Sequence, residues 1–106
     1  MHDNLTDYKF TLMGDKICVQ SRETNQFIKV IDFPDRETFT KILSSKRPES
    51  IDRSWYVLQS LKTHANMSSV ARILSLPRAN IQQIENCFFY RFERWCYAKD
   101  ILSRIS

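Results

Sequence analysis

Hydrophobic residues change their spacing part-way along this chain, and the change predicts its elements. Over Tyr8–Met13 (YKFTLM), Lys16–Gln20 (KICVQ) and Phe27–Phe33 (FIKVIDF), β-branched and aromatic residues partly alternate with polar ones, as in strands with one buried face. The only glycine, Gly14, precedes Asp15 between the first two runs, which suits a tight hairpin turn. Ser21–Gln26 (SRETNQ) is a polar connection of hairpin-loop length. The expectation is a three-stranded antiparallel β meander, and three short strands need something to cover their apolar face.

From Pro34 the period lengthens. Pro34, Asp35 and Glu37 mark a helix start, and Phe39, Ile42 and Leu43 follow at helical spacing. Ser44–Glu49 (SSKRPE) is a polar, proline-bearing break. It suggests a boundary between residues 1–46, a meander plus short helix for dimerisation or partner docking, and residues 50–106, or else one compact domain overall. Ser50 or Asp52 is positioned to cap a second helix carrying the stripe Ile51, Trp55, Leu58 and Leu61.

Residues 67–86 (MSSVARILSLPRANIQQIEN) are the most specific segment. Ser68 or Ser69 can cap a short helix presenting Val70, Ala71, Ile73 and Leu74; Ser75-Leu76-Pro77 turns the chain; a new helix then carries Ile81, Ile84 and Phe88 inward. This meets the steric demands of a helix-turn-helix, with a small residue at the crossing and apolar residues before, within and after the turn. Ser75 stands where a left-handed glycine is usual, at a small conformational cost. A plain helical hairpin in an ordinary core would show a similar pattern.

The second helix offers Arg78, Gln82, Gln83 and Asn86 outward, with Asn80 at the flank. Arginine forks onto guanine O6 and N7, and glutamine or asparagine pairs bidentately with adenine, so these are candidate base-reading residues for the major groove. Lys62, Ser68, Ser69 and Arg72 are candidate phosphate contacts. Beyond Asn86, the continuing helix places Phe88, Phe92, Trp95, Lys99 and Leu102 on one stripe, with Phe89, Cys96 and Ile105 beside or behind it. Two readings of that aromatic run stay open: a core helix covering the sheet, or a homodimer interface built on Phe88, Phe89, Phe92 and Trp95.

Charge sharpens this picture. The net charge is +4, and residues 1–53 balance to zero, so the excess lies in the second half. No acid occurs between Asp52 and Glu85, while Arg53, Lys62, Arg72 and Arg78 do. Such a stretch suits a surface facing phosphates, or is simply a solvated basic face. At 106 residues the chain has single-domain length.

Composition and motifs narrow the classes. No apolar stretch reaches bilayer length and the N-terminus is no signal peptide, so a cytoplasmic protein is expected, with no membrane partner. The three cysteines read as free thiols rather than a disulfide or metal site. Isolated His2 and His64, scattered acids and one glycine give no catalytic constellation, cofactor loop or small-molecule site, so neither an enzyme nor a cofactor is expected.

The run Ala71-Arg72-Ile73-Leu74-Ser75-Leu76-Pro77-Arg78-Ala79-Asn80-Ile81-Gln82-Gln83 resembles the motif of KorA/TrfB-type plasmid repressors, and more distantly the small PapB-type fimbrial regulators. The likeness covers roughly 30–40 residues. It implies a bacterial, plasmid or phage repressor that binds double-stranded DNA, with Arg78 and Gln83 reading bases. The sequence-level conclusion is an α+β fold: an N-terminal meander, then a helix-turn-helix with a long aromatic C-terminal helix. Its expected function is sequence-specific transcriptional regulation as a dimer, with the recognition helix near 79–90. The alternative is a protein–protein adaptor or inhibitor acting through the aromatic helix.

Overall fold

Gly14 sits at φ +62° and reverses the chain between the first two strands, β1 (Tyr8–Met13) and β2 (Lys16–Ser21). The computed structural model describes residues 8–64 and 66–99 of the 106. The expected positions Leu102 and Ile105 lie outside the described residues. A second turn, with Asn25 also left-handed at φ 63°, leads into β3 (Phe27–Asp32). The sheet has order β1-β2-β3 and both pairings are antiparallel, with Phe10 opposite Val19 and Ile17 opposite Ile31. The register slips between Val19 and Gln20, where β3 starts. Tyr8, Phe10, Leu12, Ile17, Val19 and Ile31 belong to the core, whereas Met13, Phe27 and Val30 are exposed.

Among the described residues, four helices cover the inner face. α1 (Arg36–Ile42) starts at Asp35, whose carboxylate accepts from the Thr38 backbone N–H at 2.8 Å. That bond holds the Asp35 carboxyl below its ordinary range. α2 (Pro48–His64) begins three residues earlier than a Ser50 cap, and five earlier than an Asp52 cap, would allow, because Pro48 occupies the first turn, where its missing N–H costs nothing. The Ser50 and Ile51 amides both bond the Arg47 carbonyl. α3 (Met67–Leu74) is capped by Asn66 rather than by a serine: its side-chain oxygen accepts from Ser69 N at 3.0 Å. α4 (Arg78–Ala98) follows Pro77 and is about 31 Å long at 1.5 Å per residue.

Aromatic rings tie these elements together. Phe88 on α4 lies 5.1 Å from Phe39 of α1, 5.6 Å from Phe33 beyond β3, and 5.5 Å from Phe92. Phe92 and Phe89 reach Phe10 of β1 at 5.6 and 5.5 Å, and Trp55 of α2 packs edge-on to Phe39 at 5.0 Å. Each such pair adds about 0.5–1.5 kcal/mol beyond area burial. Ile17 and Phe88, from opposite ends of the chain, belong to one core cluster. Phe88, Phe89 and Phe92, at most 8% exposed, are therefore core residues of one chain and not a subunit interface; the sheet and α1 already cover them. Of that expected set, Trp95 alone remains half-exposed, with its ring stacked on Phe92 at 6.2 Å.

The thiols agree with this packing. All three cysteines are free, and burial, with the Glu93 charge adding and Lys29 opposing, pushes the Cys96 thiol up to about 12.

Two stability predictions follow from the core and the turn. Phe88→Ala should cost about 3–5 kcal/mol in urea unfolding, while Tyr90→Ala, which truncates an exposed ring, should cost under about 1 kcal/mol. Equal costs would show that Phe88 is not the hub. Ser75→Gly relieves a left-handed conformation worth about 1–2 kcal/mol but adds about 0.5–1 kcal/mol of chain entropy. Its urea midpoint should rise modestly, and a lower midpoint would contradict the turn geometry.

Candidate nucleic-acid interface

The turn between α3 and α4 is built by Ser75, which adopts φ 57°, ψ 42°. Leu76 N donates to the Ala71 carbonyl at 3.0 Å and Ser75 N to that of Arg72 at 3.3 Å, closing α3 with the bonds of a left-handed cap. Val70 and Ile81 are wholly buried on either side of the turn, and Ala71, Leu74, Leu76 and Ile84 pack around them. Pro77 caps α4 without a side-chain bond, and its carbonyl accepts from the Asn80 and Ile81 amides at 3.0 and 3.3 Å.

That packing leaves a polar ridge on the other side of α4. Arg78, Asn80, Gln82, Gln83 and Asn86 are all exposed. Gln82 Nε2 donates to Asn86 Oδ1 at 2.9 Å and to Glu85 Oε1 at 3.4 Å. Gln82 Oε1 then remains as an acceptor and Asn86 Nδ2 as a donor, a pair suited to a base edge. Arg78, Asn80 and Gln83 make no side-chain hydrogen bond or ion pair among the described residues, so these three are the unencumbered side chains of the ridge.

The ridge forms one wall of an open groove of about 1070 Å³. Ala79, Gln82, Gln83 and Asn86 line it from α4, Lys9 from β1 and Arg22 from the turn after β2. Arg22 also donates to the Tyr8 carbonyl at 3.3 Å, which ties its guanidinium to the sheet. These two cations were not legible in sequence, because the pairing that brings the hairpin alongside α4 is long-range. Glu85 is the acid in the groove, and burial pushes its carboxyl above the ordinary range.

The expected phosphate contacts divide. Ser68 and Arg72 are exposed on α3, Ser69 is half-buried in its first turn, and Arg72 has no ion-pair partner among the described residues. Lys62 does not join them. Its ammonium pairs with Asp15 at 3.1 Å, donates to Gln59 at 3.2 Å and lies 4.5 Å from the centre of the Phe33 ring. Only 14% of its side chain is exposed, so Lys62 clasps α2 to the hairpin turn and does not present its ammonium as a phosphate contact. Cations the sequence reading passed over lie further along α4: Arg91 and Arg94, across from Lys41 of α1.

Among the described residues no helix is long and apolar enough to cross a membrane, and no group of three or more His, Cys, Asp or Glu could hold a metal ion. No family model, curated protein or solved structure matches the chain.

Glu85 gives the site a pH signature. Its raised carboxyl favours the protonated form in the folded state, so its contribution to stability is full below the unfolded-state value and is lost as pH rises through the folded one. Glu85→Gln should therefore be more stable than the parent at pH 7, with the gap closing at acidic pH in paired urea titrations. A gap that is constant with pH would contradict this assignment.

Proposed function

We propose that this chain is a sequence-specific, double-stranded DNA-binding transcriptional regulator, acting in the cytoplasm as a repressor homodimer. The observation that carries the reading is the exposed ridge of Arg78, Gln83 and the Gln82–Asn86 pair at the N-terminal end of a helix whose other face is locked into the core. Such a helix end is the part that meets base edges when a recognition helix enters the major groove, about 12 Å wide. The left-handed turn at Ser75 holds α3 across its start, and α3 brings Ser68, Ser69 and Arg72 within reach of the sugar-phosphate backbone. A homodimer would set two such helices one duplex turn apart on a two-fold site.

The likeness of residues 71–83 to KorA/TrfB-type repressors supports the same reading. Burial of Phe88, Phe89 and Phe92 counts against an adaptor that works through the aromatic helix, because those rings are already engaged within the chain.

Arg78→Ala should cost about 1–3 kcal/mol of binding to the preferred duplex and far less on random duplex. Fluorescence anisotropy with both duplexes at fixed salt reads the difference. Equal losses on the two would overturn the base-reading role of Arg78.

A further inference from the structure

One basic concavity lies outside the ridge, in the angle between α1 and the second half of α4. Its volume is about 450 Å³, and Lys41, Ile42, Tyr90, Arg91, Arg94 and Trp95 line it. Three of these six are cations, and no carboxylate is among the described lining residues. Charge of one sign gathered in a concave site raises the local concentration of anions.

The cations are held rather than free to wander. Arg91 Nη1 donates to Ser45 Oγ at 2.5 Å, and Arg91 Nε is buried with no hydrogen-bond partner among the described residues. The Arg94 guanidinium lies 5.7 Å from the centre of the Tyr90 ring and donates to the Tyr90 hydroxyl at 3.3 Å. Lys41 is 3.9 Å from Glu37, an exposed pair one helical turn away that leaves most of the ammonium in solvent. The wall is half-buried Trp95 against Ile42.

Position along α4 identifies the anion. Tyr90 lines both this concavity and the groove of the polar ridge, so the two are neighbours along α4. From Gln83 to Arg91 and Arg94 is about 12–17 Å at 1.5 Å per residue, comparable to the roughly 12 Å width of a major groove. A helix that reads bases near its start would bring these cations to the strand bordering that groove. We infer that Lys41, Arg91 and Arg94 form a phosphate-binding cluster that grips the backbone of the duplex whose bases the α4 ridge reads. This rests on the regulator reading and adds its affinity half: the cluster supplies sequence-independent attraction, and the ridge supplies choice.

Arg94→Gln and Lys41→Gln are the informative variants, since both side chains are exposed, whereas changing Arg91 would also break the Ser45 bond. The full chain is titrated onto a random-sequence duplex over a salt series, with Gln83→Ala as control. Each charge variant should flatten the slope of log K against log salt by about 0.9, and Gln83→Ala should leave it unchanged. The indole N–H resonance of Trp95, assigned with Trp95→Phe, should move on adding either random duplex or inorganic pyrophosphate.

Unchanged slopes with duplex binding intact would overturn the cluster and leave the regulator reading standing. A Trp95 response to pyrophosphate without any duplex binding would overturn the duplex backbone as the phosphate source, and the regulator reading with it. No binding of either probe would overturn both.

Discussion

One contact pattern governs the rest of this molecule: the stacking of Phe88 between Phe33, Phe39 and Phe92. It joins α4 to α1 and to the segment after β3, while neighbouring Phe89 and Phe92 join it to β1 through Phe10. A helix fixed at three places along one side has no freedom to roll. The side chains about half a turn away, Gln82 and Asn86 among them, are then held in solvent by the same packing that buries Phe88. The core and the candidate site are two faces of one constraint.

The constraint also explains a division of labour among the cations. Lys62 is drawn inward by Asp15 and the Phe33 ring and closes the gap between α2 and the hairpin turn. Arg36 does something similar at the surface, pairing with Asp52 and lying 5.6 Å from the centre of the Trp55 ring. Among the described residues Arg78 and Arg72 meet no such partners, and both side chains are exposed. A cation without an intramolecular partner contributes little to folding, and under the proposed function an external polyanion would be its partner. Arg91 and Arg94 lie further along the same helix as the ridge, held by Ser45 and Tyr90 beside Lys41 of α1.

Local rules carried much of this from sequence. The strands, the glycine turn, the stripe on α2 and the turn at Ser75 depend on neighbours a few residues apart, and their spacing declares them. Helix starts are less legible: α2 opens at Pro48 rather than after a Ser50 or Asp52 cap, and Asn66 rather than Ser68 or Ser69 caps α3, because several good candidates sit side by side and only geometry chooses. The fate of the aromatic run was not readable. Whether Phe88, Phe89 and Phe92 face a sheet of their own chain or a second subunit depends on how a meander 50 or more residues away docks, which periodicity does not encode. The same long-range docking hid Lys9 and Arg22 opposite the ridge, and the pairing of Lys62 with Asp15.

The most direct test of the central claim is selection of bound duplexes from a random pool by the purified chain, repeated with Gln83→Lys. A helix end that reads base edges should return one common motif, and the variant should return the same motif altered at a single position and its neighbours. Pools that keep no common sequence, or an identical motif from both proteins, would contradict the account.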